Sequence, residues 1–223
     1  MEEIMTLHEM LINEEYVKGI YNSIGNNPRV PISHGFSHIK AVLSYAKTLA
    51  TLFNISGSEK ETLFCSVILH DIAQVFLQKN HALNSSIMAK QMLENNESID
   101  PNFIKNQIDI DRLETIIRSH GGKHQSDYID SLSRILILAD KLDFTKTRLR
   151  PRAKEFAAFD FMNLVEAINL NLTNNTLVIE ILTNTKTSLE DLNKHHGLDN
   201  FLNVLNLFAE HENINYKITC NNT

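Results

Sequence analysis

The stretch Leu63-Phe64-Cys65-Ser66-Val67-Ile68-Leu69-His70-Asp71-Ile72 decides the fold. From Leu63 to Leu69 it offers little polar surface, so it predicts a buried helix. The two most polar residues come at the C-terminal end of that helix. A buried imidazole beside a buried carboxylate is costly unless something pairs with both. The plain solution is that His70 and Asp71 merely end a helix, where the dipole favours histidine. The other is a divalent metal, which accepts a neutral imidazole nitrogen and an ionised carboxylate and supplies the missing counter-charge. Two further placements favour the metal. Asp140 ends the apolar run Ile135-Leu136-Ile137-Leu138-Ala139, where solubility does not call for an acid, and His38 stands near the start of an amphipathic helix.

Outward from this stretch the pattern is helical. Gly and Pro number 7 and 4, too few for a turn-rich β fold. A break from Asn26 to Phe36 contains Pro28 and Pro31. Ser37 then offers an N-cap, and Ile39, Val42, Leu43, Ala46, Leu49, Ala50 and Phe53 follow at helical spacing. Ser58 with Glu61 reads as a capping box for the central helix. Val75, Phe76 and Leu77 predict a partly buried turn after it. Asn84 or Ser85 is placed to cap a helix to about Asn95, and Asp111 with Glu114 a short helix to Ser119, stopped by Gly121-Gly122. A further helix is expected from about Asp127 to Leu142, with Ile129 on its apolar face. The last third alternates with period 2. Strands through Leu164–Leu172 and Leu177–Ile181 flank a tight turn at Asn174-Asn175, which predicts a hairpin. A helix from Asp199 to His211 and a third strand through Ile214, Tyr216 and Ile218 follow. The fold class is therefore mainly α with a small antiparallel sheet near the C-terminus. The expected division is a helical metal-binding domain over residues 1–160 and a small α+β extension over 161–223.

The order His38, His70-Asp71, Asp140 on separate helices resembles the HD-domain superfamily of metal-dependent phosphohydrolases. The resemblance rests on His34-Gly35-Phe36-Ser37-His38 with Val42, on Val67-Ile68-Leu69-His70-Asp71-Ile72, and on Leu138-Ala139-Asp140-Lys141-Leu142-Asp143. It covers roughly residues 30–150. It implies a helical core around one or two divalent ions, with His38, His70, Asp71 and Asp140 as ligands; Mn, Fe, Mg, Ni and Zn are not distinguished. His81, in Asn80-His81-Ala82-Leu83-Asn84-Ser85, and His120, in Ile116-Ile117-Arg118-Ser119-His120-Gly121, resemble the family histidines that hold a second metal. The alternative for each is a substrate-facing histidine, and His120 or His81 is then the acid for the leaving oxygen. His124 and His34 are weaker ligand candidates. His8, His195, His196 and His211 are expected at the surface. Many relatives carry Lys or Glu three residues after the His-Asp pair; here it is Gln74, which orients water but holds no proton at neutral pH.

The resemblance implies hydrolysis of a phosphate ester or phosphoanhydride, with a nucleotide or related small phosphorylated molecule as substrate. The segment after Asp140 holds six bases in residues 141–154: Lys141, Lys146, Arg148, Arg150, Arg152 and Lys154. They read either as a phosphate clamp or as a solvated face partly neutralised by Asp143 and Glu155; Lys141 and Arg148, nearest the ligands, are assigned to the clamp. Two other activities use the same frame: a diiron HD oxygenase, and a non-catalytic metal or nucleotide sensor, for which Gln74 is the hint. The net charge of −6 argues against duplex nucleic acid as a partner. Cys65 and Cys220 form no CxxC and read as reduced thiols. An acidic N-terminus and the lack of any long apolar run predict a cytoplasmic protein with no membrane partner. The C-terminal sheet suits packing on the helical body or a homodimer contact.

Overall fold

The computed structural model describes residues 5–27, 30–76, 80–121, 124–194 and 196–222. Pro28, Leu77, Gly122 and His195 lie outside them. Packing divides the chain into two units, Met1–Asn26 with His34–Ile137, and Asn27–Ser33 with Leu138–Thr223. The expected boundary near residue 160 falls inside the second unit, within a 3-10 segment spanning Ala157–Leu164.

The first unit is helical: α1 (Leu7–Asn13), α2 (Glu15–Gly25), α3 (Phe36–Leu52), α4 (Gly57–Leu69), α5 (His81–Glu94), α6 (Pro101–Gln107) and α7 (Ile110–Ser119). The 3-10 turns Ile72–Phe76 and Gln125–Tyr128 interrupt them, and α8 (Ser131–Leu142) begins in this unit and ends in the second. α4 is the centre. Every residue from Glu61 to Leu69 is buried, and the helix packs against α1, α3 and α7. The near-continuous apolar run therefore has a direct cause: the helix has no solvent face after its first turn. α3 is one-sided by contrast, burying Ile39, Val42, Leu43, Ala46, Leu49 and Ala50.

Helix starts differ from expectation by two to five residues. α3 is capped at Gly35, not Ser37; α4 at Ser56, not Ser58; α5 at Asn80, not Asn84 or Ser85; α7 at Asp109, whose carboxylate accepts from the Arg112 N–H at 2.9 Å. In each case several polar residues lie side by side, and tertiary packing chooses among them. The helix expected from Asp127 is a 3-10 turn followed by α8, which leaves Ile129 75% exposed. Phe76 is exposed as well.

The largest departure is His8. It is buried, not at the surface, and Glu61 is the reason. One Glu61 carboxylate oxygen accepts the His8 backbone N–H at 2.6 Å, and the ring Nδ1 lies 2.9 Å from the other. The His8 ring also stands edge-on to Phe64 at 5.0 Å. Glu61 thus ties α1 to α4 instead of closing a capping box. His196 and His211 are exposed as expected.

The second unit holds β1 (Val165–Thr173), β2 (Thr176–Thr183), a short α9 (Leu189–Leu192), α10 (Asp199–Glu212) and β3 (Asn215–Asn222). Asn174 and Asn175 both have positive φ, 48° and 57°, as the tight turn between β1 and β2 requires. β1 and β2 pair antiparallel, with Ile168 opposite Ile181 and Leu170 opposite Ile179. β3 pairs with β2 in parallel, Thr176 opposite Asn215 and Ile181 opposite Cys220, so the sheet is mixed, not wholly antiparallel. The intervening α10 is what permits this, because parallel neighbours need a long return and a helix supplies it. Tyr216 Oη donates to Asn206 Oδ1 at 2.6 Å, fastening β3 to α10. The Asn27–Ser33 segment belongs here by pairing. Arg150 N–H donates to Pro31 O at 3.0 Å, Ser33 N–H to Arg148 O at 2.8 Å, and Ile32 bridges Leu149. Among the described residues no helix is long and apolar enough to cross a membrane.

Burial pushes the Glu61 carboxyl up, but its hydrogen bonds with His8 outweigh that and hold it below the usual carboxylate value. Its contribution is therefore fully present above the unfolded pKa of about 4.3 and fades as pH falls through the lower folded value. Glu61→Gln should cost about 1–3 kcal/mol at pH 7. Urea unfolding from pH 7 to pH 3 should show the wild-type advantage over the variant shrinking only below about pH 4.3.

Candidate metal centre

Asp71 follows directly on the last turn of α4 and is 2% exposed. Five imidazoles of the first unit surround its carboxylate. Oδ2 lies 2.7 Å from His34 Nδ1, 3.6 Å from His70 Nε2 and 3.8 Å from His38 Nε2. Oδ1 lies 3.5 Å from His120 Nε2 and 3.7 Å from His81 Nε2. The rings form a chain of edge-to-face neighbours in the order His34, His38, His70, His120, His81, with centroids 4.9–5.6 Å apart. Two sets of donor atoms gather within 4.8 Å of one another here: His34, His38 and Asp71, and His70, Asp71 and His120.

The same device aims two of these rings. His70 and His120 are the C-cap residues of α4 and α7. His70 Nδ1 lies 2.7 Å from Val67 O, and His120 Nδ1 lies 2.6 Å from Ile117 O. A carbonyl only accepts, so both Nδ1 atoms carry a proton, and Nε2 is the ring atom turned toward Asp71. His34 Nδ1 likewise donates to Asp71 Oδ2. His81 Nε2 and His120 Nε2 stand 3.0 Å apart, within hydrogen-bond distance when one of them carries a proton.

Local structure explains the convergence. The chain turns back through the 3-10 segment Ile72–Phe76, and Asn80 adopts the left-handed conformation (φ 67°) to open α5 at His81. Ser85, one turn on, accepts the Ala73 N–H at 3.1 Å and pins α5 to that segment. On the other side Gly35 lets the His34–His38 segment approach α2. A Cβ there would lie 2.5 Å from Gly25 Cα. Tyr21 Oη donates to Ile68 O at 2.6 Å, tying α2 to the end of α4. Burial and then the Asp71 charge hold the Tyr21 hydroxyl well above its ordinary pKa, so it stays a donor. Burial pushes the Asp71 carboxyl up, but His70, His34 and His120 together hold it well below the usual range, and it stays ionised.

The residues fit a divalent cation. Asp71 Oδ1 is buried with no hydrogen-bond partner among the described residues. An ionised carboxylate in such a place costs several kcal/mol unless a positive charge compensates it. The 3.0 Å between His81 and His120 nitrogens also matches the separation of ligands on adjacent octahedral corners, roughly 3.0 Å for bonds of about 2.1 Å.

Asp140, Lys141 and Arg148 fall in the second unit. Asp140 is buried on the last turn of α8, with Lys141 Nζ 2.5 Å and Arg148 Nη2 3.7 Å from its carboxylate. Arg148 is buried too, and its guanidinium donates to Ser33 O at 3.0 Å and Asp143 O at 2.9 Å. Those two hydrogen bonds fix its Nε and Nη1 atoms on the backbone. His124 is exposed at the start of the Gln125–Tyr128 turn, with its backbone N–H on Asp127. Gln74 lies half-buried in the 3-10 turn, its N–H on Asp71 O. His34 and Tyr21 were the underrated residues. His34 sits in the quoted motif, whereas nothing in the local pattern around Tyr21 marks it.

A family model described as the HD domain matches residues 35–145, and the chain belongs to the HD-domain superfamily. That class is one of metal-dependent hydrolases. A solved structure titled a predicted HD superfamily hydrolase, from an uncultured Thermotogales bacterium, is similar at 20% identity and a TM-score of 0.43. The match covers 68% of this chain and 88% of that one. No curated protein matches.

Gly35→Ala should cost about 1–3 kcal/mol through the clash with Gly25. It should also lower metal content, because relieving the clash moves His34 and His38. Thermal melts with and without chelator check both: the variant melts lower, and its chelator-induced shift is smaller than that of the wild type.

Proposed function

We propose that the chain is a phosphohydrolase acting on a nucleotide or a related phosphate ester or anhydride. Its cations are held on the two sides of Asp71. His38, His70 and Asp71 Oδ2, with Asp140 by the motif order, hold one; His81, His120 and Asp71 Oδ1 hold a second. The observation that carries this is the buried carboxylate with imidazole nitrogens facing each of its oxygens.

A divalent cation supplies Lewis acidity there, lowering the pKa of water and drawing charge from a phosphoryl group. The protein's own groups do the rest. Asp71 brings the negative charge, and the Nδ1 protons of His70 and His120 hold their rings so that Nε2 stays a ligand. His34 fixes Asp71 by a 2.7 Å hydrogen bond, and with its side chain 22% exposed it faces both the carboxylate and solvent. His81, on the first turn of α5 and 32% exposed, is the ring best placed to pass its Nε2 proton outward to a leaving oxygen when no second cation takes that atom. Lys141 adds positive charge beside Asp140, and Arg148 donates to the Asp143 carbonyl just after α8.

The test is metal content of protein purified without chelator, with phosphate release measured over a panel of nucleotides and phosphate esters. Wild type should carry about two ions per chain and release phosphate from at least one nucleotide. Asp71→Ala should lose both metal and turnover; retention of both would refute the assignment. His81→Ala should keep one ion, and a wild-type protein with a single ion would remove the second site. Iron as the resident metal with oxygen uptake and no phosphate release would favour the oxygenase chemistry.

His34→Gln should weaken metal affinity about 10- to 100-fold, as loss of a ligand's hydrogen-bond partner does. Competition with a chromophoric chelator reads that directly.

A further inference from the structure

The basic segment 141–154 sorts itself once its contacts are known. Lys141 is paired with Asp140, Lys146 with Glu166 at 2.5 Å, and Arg152 with Glu155 at 3.1 Å. Arg148 is buried against backbone carbonyls. The other two bases, Arg150 and Lys154, line one pocket of about 330 Å³ in the second unit. Leu149, Pro151 and Phe159 form apolar walls, Asn163 adds an amide, and none of the described lining residues is acidic. In a chain of net charge −6 that is an uncommon local balance.

The pocket is also braced. Arg150 is held through its backbone by Pro31 O and through Nη2 by Ser33 Oγ at 2.8 Å, so its fork does not have to be ordered when a ligand arrives. Phe159 is half-buried, with Phe156 edge-on to it at 6.1 Å, which fixes one ring as a wall. Lys154 is exposed and makes no ion pair among the described residues. Cations beside an aromatic wall and an amide match a ligand with an anionic end and a planar end. The volume lies at the low end of ligand pockets, about 300–1,000 Å³, which suits one nucleotide and no more.

We infer that this pocket is a second ligand site, for a nucleoside monophosphate, with the phosphate on Arg150 and Lys154 and the base against Phe159. It uses none of the histidines or Asp71, so it stands whether or not the phosphohydrolase reading does.

The test is AMP binding to the full chain by calorimetry with chelator present, which silences the metal centre. AMP should bind with a dissociation constant below about 1 mM. Inorganic phosphate and adenosine should each bind at least tenfold more weakly. Lys154→Glu, at an exposed position, should weaken AMP at least tenfold without moving the melting temperature, and Phe159→Leu should weaken AMP and adenosine together. Absence of saturable AMP binding, AMP affinity unchanged in Lys154→Glu, or phosphate binding as tightly as AMP would each overturn the inference.

Discussion

An ionised carboxylate that water cannot reach is the constraint on which the first unit depends. Asp71 follows directly on a helix whose every residue from Glu61 to Leu69 is buried, so its burial is not optional. The surrounding imidazoles offset part of that cost, His34 by a 2.7 Å hydrogen bond to the carboxylate. The surrounding architecture keeps five rings within reach of two oxygens. Helix ends, a left-handed asparagine and a close glycine contact each contribute one part of that placement.

The anchoring of His70 and His120 shows how cheaply the tautomer is set. The last carbonyls of a helix lack intrahelical donors, and a histidine at the C-cap fills one of them. The same hydrogen bond turns Nε2 toward the carboxylate. A helix C-terminus that ends in histidine thus satisfies its own backbone and prepares a ligand in one step. His38 stands near a helix start and is buried there.

Much of this was legible in the sequence, for particular reasons. α4 was readable because a fully buried helix leaves an unbroken apolar run. The hairpin was readable because two asparagines sit where positive φ is required. The His-Asp pair and its companions were readable because polar residues at the ends of apolar segments need partners. Other features depended on contacts remote in sequence. The burial of His8 comes from Glu61, 53 residues away, and no local pattern announces it. The parallel pairing of β3 follows from where α10 returns the chain, which alternation alone does not encode. That Arg148 donates to the Ser33 and Asp143 carbonyls, one of them 115 residues away, is likewise not written in its local charge pattern.

The pairing of residues 31–33 with 148–150 also bears on the order in which the molecule is made. The segment directly before His34 has its hydrogen-bond partners more than a hundred residues downstream. During synthesis it must wait on the ribosome, unpaired, until those residues emerge, although α1 to α7 are already available to condense. Contacts that span so much chain are slow to form because loop closure must come first. The first unit can therefore gather its helices early, while the entrance to the His34–His38 segment is secured only when the chain beyond Leu142 arrives. A nascent chain stalled short of residue 148 would carry the histidines while residues 31–33 still lack their partners.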